Sequence, residues 1–185
     1  MLRKLYYFRN YVFYKIRFFG RKIDVHYSAF VSSKCVLKTN GGGKIKIGRN
    51  CELHHSSMLL TYGGQIVLGD NSSVNPFTII YGHGNSIIGS GVRIATHCTI
   101  IPANHILGND DVPLYKQGVT TKGISIDDFS WIGTGCRILD GVTIGKHAVV
   151  GAGSVVNKSI PDYTIGVGVP VKLIKKYNDL ANQKK

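Results

Sequence analysis

A stacked β-solenoid is the fold this all-β sequence predicts, and three regularities predict it. An aliphatic residue recurs at every sixth position, at Ile126, Ile132, Ile138, Ile144, Val150 and Val156. The next position holds Asp127, Gly133, Leu139, Gly145, Gly151 or Asn157, and several of these let a backbone turn. Four residues after each anchor stands Ser130, Cys136, Val142, Ala148, Ser154 or Ile160, mostly small. Period six fits neither the 3.6 of a helix nor the alternation of a two-sided sheet, but it suits short strands joined by tight corners. One anchor per face then points inward, glycine turns the corner, and the small residue fills a narrow interior without overpacking it.

The same period runs earlier through Ile88, Ile94 and Ile100, with Val92, Cys98 and Asn104 as the small inner residues. It also runs through Leu68, Val74 and Ile80, and starts weakly at Ile47 and Leu53. Repeats therefore span 45–161, between a basic aromatic segment, 1–44, and a closing segment and tail, 162–185. Two stretches break the rhythm. Tyr81 to Ile87 delays the next anchor from Ile80 to Ile88, as a wider corner would. The polar stretch 106–123 lacks periodicity altogether; loops of that length in a compact domain are usually functional or disordered, and the functional reading is preferred here.

At 185 residues, 43% of them hydrophobic and with a mean hydropathy near zero, the chain is sized for one globular domain with a short appendage. No eighteen-residue apolar run offers a membrane span. The N-terminus lacks the uninterrupted apolar core and small-residue cleavage site of a secretory signal, so a cytoplasmic protein is expected. Cys35, Cys51, Cys98 and Cys136 form no C-x-x-C pair and read as small core residues.

The net charge of +13 is concentrated at one end. Residues 1–49 hold twelve Lys or Arg against the single acid Asp24, leaving +2 for the remainder. Within 2–19, Leu5, Phe8, Val12, Ile16 and Phe19 share one helical stripe, with Tyr7, Tyr11, Tyr14 and Phe18 beside it and Arg3, Arg9, Lys15 and Arg17 among them. Two readings of this short N-terminal helix stay open: an interfacial helix on an anionic membrane surface, and a cap on the open end of the solenoid. No nucleic acid partner is expected, since no recognised module is present. A second short helix is expected from Lys175 to Leu180, followed by a frayed tail.

The segments I-G-T-G-C-R, I-L-D-G-V-T, I-G-K-H-A-V and V-G-A-G-S-V strongly resemble the hexapeptide-repeat acyltransferase family. The resemblance implies a left-handed parallel β-helix with three hexapeptides per coil, a trimer whose active sites are shared between subunits, and acetyl-CoA as acyl donor. It is nearest the galactoside and maltose O-acetyltransferases and the acetyltransferases of polysaccharide biosynthesis.

Acyl transfer to a hydroxyl needs a base for the acceptor proton and donors for the developing oxyanion. Seven histidines compete for the role of base. His105 ends a repeat immediately before the excursion, where a side chain can face a cleft. In the galactoside and maltose branch the resemblance puts the catalytic histidine at this place and an acceptor-orienting asparagine thirty residues upstream, which is Asn75. The same resemblance implies acetyl-CoA contacts at Trp131, Gly133 and Thr134, at Gly151, Ala152, Asn157 and Lys158, and at Lys172, the two lysines facing phosphates. Gly133 and Gly151 read equally well as corner glycines, Asn75 as a ladder residue, and Trp131 as packing at a coil edge.

No metal is expected. The γ-class carbonic anhydrases share this solenoid and bind metal through three histidines, but the spacing required is absent here. The reading is therefore an acetyl-CoA-dependent O-acetyltransferase acting on a saccharide, most simply in bacterial surface-polysaccharide assembly. The alternatives are amino-sugar N-acetylation, a serine or antibiotic acetyltransferase of the same fold, and a non-catalytic scaffold.

Overall fold

The computed structural model describes the backbone of residues 2–108 and 111–176, and the side chains of 9–108 and 111–174. After helix α1 (Leu2–Arg17) the chain winds through six three-strand coils. The first holds β1 (Ile23–Val25), β2 (Phe30–Val31) and β3 (Val36–Lys38). The second holds β4 (Lys44–Ile47), β5 (Glu52–Leu53) and β6 (Met58–Leu60), and the third β7 (Gln65–Leu68), β8 (Ser73–Val74) and β9 (Ile79–Tyr81). The fourth holds β10 (Ser86–Ile88), β11 (Arg93–Ile94) and β12 (Thr99–Ile101).

The excursion follows, with β13 (Asn104–His105) and β14 (Val119–Thr120). The fifth coil is β15 (Ile124–Ile126), β16 (Trp131–Ile132) and β17 (Arg137–Leu139), and the sixth is β18 (Thr143–Ile144), β19 (Val149–Val150) and β20 (Val155–Val156). A hairpin of β21 (Thr164–Val167) and β22 (Lys172–Lys176) closes the end.

The first strands of successive coils stack in parallel as face 1, the second as face 2 and the third as face 3. The result is a triangular prism matching the left-handed parallel β-helix. Every anchor of the period-six series, from Ile47 to Val156, is buried, and so is the small residue four places on wherever the coil continues. Asn104 is the departure: the chain leaves the coil after the buried Pro102, Asn104 is exposed, and Ile124 takes the inner place, paired with Ser86. The four cysteines are buried and unpaired. Burial pushes the Cys35 and Cys51 thiols up.

The solenoid starts earlier than the clear repeat. β1 to β3 lie within the 1–44 segment, with Ile23 to Val25 in register with Ile45 to Ile47. At the other end Lys175 and Lys176 belong to β22 rather than to a helix, and residues 177–185, where the rest of the expected C-terminal helix falls, lie outside the described residues.

The corners account for two of the histidines, His97 and His147. Phe77 and His97 at the corner between faces 2 and 3, and Phe129, His147 and Tyr163 between faces 1 and 2, have positive φ, which is unusual for bulky residues. Their rings stack along the prism axis, Phe77 on His97, Phe129 on His147 and His147 on Tyr163, each at 5.0 Å. Ring stacking offsets part of the backbone cost at these corners.

Helix α1 covers the open end. Tyr14 and Phe18, one turn apart, are buried against the first coil, and the Tyr14 hydroxyl donates to the Ala29 carbonyl (2.8 Å) and accepts from the Val31 N–H (3.1 Å). Arg17 donates to the carbonyls of Ser32, Ser33 and Cys35. The buried face is thus the aromatic flank of the expected stripe, whereas Val12, Ile16 and Phe19 of the stripe itself are exposed. No described helix is long and apolar enough to cross a membrane.

Two outcomes check this packing. Ile132→Ala is expected to lower stability by about 2–5 kcal/mol in chemical denaturation, because the close-packed interior cannot collapse onto the lost side chain. Tyr14→Phe is expected to cost about 1–3 kcal/mol in the same measurement, since it leaves a buried carbonyl and N–H without their shared partner.

Candidate functional site

The excursion is a short hairpin rooted at the corner between faces 3 and 1. Asn104 and His105 pair antiparallel with Thr120 and Val119, and the Ile106 N–H donates to the Gly118 carbonyl at 3.1 Å. Asp140, at the same corner one coil on, holds the root: its Oδ1 accepts the N–H groups of Lys122 (2.8 Å) and Gly123 (2.9 Å), and its Oδ2 accepts from Asn104 Nδ2 (3.4 Å). Further out, Gln117 Nε2 donates to the Val112 carbonyl at 2.7 Å. His105 is exposed, and among the described residues its imidazole has no hydrogen-bond partner, so its backbone pairing alone presents it. Asp111 is exposed on the excursion, and Asp110 lies outside the described residues.

Directly below, the insertion that delays Ile88 carries a residue the repeat pattern passes over. The ring of His83 stacks on Tyr62 (4.7 Å, 12° between planes), with Tyr81 at 5.8 Å, and Tyr62 packs edge-on against Tyr81 at 4.8 Å. Among the described residues, the buried His83 Nδ1 has no hydrogen-bond partner. Burial holds the imidazole below the usual histidine range, and the charge of nearby His105 adds to that. The sequence signal was the widened corner itself, which spacing alone cannot distinguish from a longer turn.

Asn75 lies on a different edge. With His54, Ala95, Gly133 and Gly151 it forms the column just past face 2, where each backbone N–H donates to the next coil, Asn75 to Ile94 at 3.1 Å and Gly133 to Val150 at 2.8 Å. Asn75 Nδ2 also donates to the Ile94 carbonyl at 2.9 Å, and Oδ1 accepts nothing from the described residues. The glycines of this column are required by close approach: a Cβ on Gly133 would stand 2.6 Å from the Ala152 nitrogen, and one on Gly151 2.6 Å from Val167 Cγ1.

Thr134 Oγ1 donates to the Thr96 carbonyl at 2.9 Å, and Ala152 is exposed beside it. Trp131 points outward from face 2, 55% exposed, between Arg93 and Val149. Lys172 pairs with Val167, whose side chain covers Gly151. Asn157 and Lys158 are exposed at the corner between faces 3 and 1, the corner that also carries the excursion.

The expected site residues therefore fall into two groups. Asn75, Trp131, Gly133, Thr134, Gly151, Ala152 and Lys172 follow the trailing edge of face 2. His105, Asn157 and Lys158 follow the far edge of face 3. Face 3 separates them within one chain. No group of three or more His, Cys, Asp or Glu among the described residues is placed to hold a metal ion.

A parallel β-helix with corner glycines, an excursion hairpin and an exposed imidazole at its root defines a hexapeptide-repeat protein. Residues 123–158 match the family described as bacterial transferase hexapeptide (six repeats). The chain is 32% identical to the putative lipopolysaccharide biosynthesis O-acetyl transferase WbbJ of Escherichia coli, over 78% of this chain and 76% of that one. It belongs to the hexapeptide-repeat transferase family.

It is also 29% identical to the probable acetyltransferase Rv3034c of Mycobacterium tuberculosis over 85% of its own length, but spans only 49% of that relative. Among solved structures it resembles a point mutant of AntD, an N-acyltransferase from Bacillus cereus, in complex with dTDP-4-amino-4,6-dideoxyglucose and coenzyme A. The TM-score is 0.73 at 25% identity, covering 92% of this chain and 94% of that one.

The depressed His83 fixes a pH dependence. Unfolding restores its ordinary pKa near 6.5, so below that the unfolded chain binds more protons and stability falls as pH is lowered. His83→Asn is expected to flatten this part of the stability profile, as read by urea unfolding at pH values across the histidine range.

Proposed function

We propose that the chain is an acetyl-CoA-dependent O-acetyltransferase acting on a sugar hydroxyl in bacterial surface-polysaccharide assembly, with His105 as general base. The observation that carries this reading is the exposed imidazole of His105, without a hydrogen-bond partner among the described residues and held by a hairpin at the corner where His83, Tyr62 and Tyr81 form an aromatic wall.

Neutral His105 takes the proton of the acceptor hydroxyl as its oxygen attacks the thioester carbonyl. The tetrahedral oxyanion collapses with cleavage of the carbon–sulfur bond, and the departing thiolate recovers the proton from His105. The acetyl group ends on the sugar oxygen. Asn75 orients the acceptor through its uncommitted Oδ1. The trailing edge of face 2 receives the pantetheine arm at Trp131, Gly133, Thr134, Gly151 and Ala152, while Asn157 flanks its far part and Lys158 and Lys172 meet phosphates.

Because face 3 separates Asn75 from His105 in one chain, the reading includes a homotrimer, in which His105 of one copy meets Asn75 of the next. It also includes a cytoplasmic protein peripheral to the membrane, with α1 and its neighbours on an anionic lipid surface. The name of WbbJ supports the polysaccharide setting. The AntD complex favours one second reading, N-acylation of a nucleotide-linked amino sugar at the same site, which an acceptor screen with product analysis separates.

His105→Ala is expected to lower turnover by about 10²- to 10⁴-fold while acetyl-CoA binding persists. Unchanged turnover removes His105 from the reaction. Mixing refolded His105→Ala and Asn75→Ala chains is expected to restore part of the activity, because some interfaces then hold both native residues. No recovery, with mixed oligomers demonstrated by mass spectrometry, places the two residues in separate sites.

A further inference from the structure

A cleft of about 440 Å³ lies between the C-terminal end of α1 and face 1, in the region of the first three coils and apart from the excursion corner. Five cations line it: Lys15 from the helix, Arg21 and Lys22 from the link to β1, and Lys44 and Lys46 from β4. Asp24 is the one carboxylate among the lining residues. None of the five forms an ion pair with a described residue, although Lys22 Nζ donates to the Gly42 carbonyl at 3.2 Å and Lys15 Nζ lies over the Tyr11 ring at 5.7 Å.

The fold concentrates this charge. Lys44 and Lys46 alternate with the buried Ile45 and Ile47, so both ammonium groups leave the same side of face 1. Such a predominantly positive concavity attracts anions, and its cations repel one another when it is empty.

Beside it stand the end of α1 and the turn after it, on the side the solenoid does not cover. Ile16, 72% exposed, directly follows the lining Lys15, and Phe19, 88% exposed, lies just past the helix, two residues before the lining Arg21. Inorganic phosphate or a soluble nucleotide would answer the cations and leave both apolar side chains in water. A lipid answers both at once, its phosphate in the cleft and its acyl region against Ile16 and Phe19, which is the arrangement of interfacial segments.

We propose that this cleft binds the phosphate head of an anionic membrane lipid while Ile16 and Phe19 enter the bilayer beside it. The inference rests on the membrane reading above but moves the charge contact from the helix to the body of the solenoid.

The test is co-sedimentation of the full chain with vesicles of phosphatidylglycerol and phosphatidylcholine, against phosphatidylcholine alone, in moderate salt. Wild type is expected to bind only the anionic vesicles. Lys44→Glu/Lys46→Glu, both exposed and remote from His105, is expected to weaken binding at least about tenfold, and Phe19→Ser is expected to weaken it too, with circular dichroism unchanged in both. Full binding by the double variant together with loss in Phe19→Ser overturns the cleft and leaves the membrane reading standing. Full binding by Phe19→Ser together with loss in the double variant leaves the cleft a site for phosphates alone and overturns the lipid assignment. Failure of wild type to bind either vesicle overturns both.

Discussion

Hydrogen bonding from each coil to the next is the constraint on which everything else in this molecule depends. A strand of two or three residues has no stability of its own. Here each strand between the two ends of the stack is paired on both sides along its face, and each buried anchor rests on the anchor of the coil below. A side chain is therefore located by its column and its coil. The column decides whether it points into the core, out of a face or along an edge. The coil decides its height.

A stack built this way has two open ends, each a row of unpaired strand groups that would recruit another chain. The two ends are closed by different chemistry. At the narrow end β22 turns back antiparallel on β21. At the other, Tyr14 and Arg17 offer side-chain hydrogen bonds to the first coil, and Tyr14 and Phe18 cover its apolar interior. Closing that end with a helix turns an outer surface to solvent that no coil could present, and this is where the exposed aliphatic and aromatic side chains meet the excess of cations.

Most of this architecture was legible because repetition multiplies a weak signal. One Ile followed by a glycine means little, but six anchors at one spacing leave few folds. The same logic explains the failures. Asn104 satisfies the period and still points outward, because the coil ends two residues earlier at Pro102, and a spacing rule cannot see a chain depart. The first coil has the register of the others without their composition, so β1 to β3 merged with the basic segment. Within the candidate site, the expectation on His105 rests on its place beside the excursion. His83 drew no such expectation, because its position depends on a corner widened by residues that belong to no repeat. Nor could sequence show that Asn75 and His105 stand on different edges: thirty residues fixes a difference in height and column only once the corner lengths are known.

The corner between faces 3 and 1 shortens as the chain climbs. Equivalent positions on face 1 lie 22 residues apart from Ile23 to Ile45, 21 from Ile45 to Ile66, 20 from Ile66 to Ser86, and 18 from Ser125 to Thr143. The faces keep their strands, so the difference accumulates on that one edge. The solid is a lopsided wedge whose lower storeys overhang, and the ledge they make lies beneath the excursion. A polymer threaded along the edge would meet a shelf from one direction and an open step from the other. The taper gives this edge a polarity, so that its two directions differ in shape.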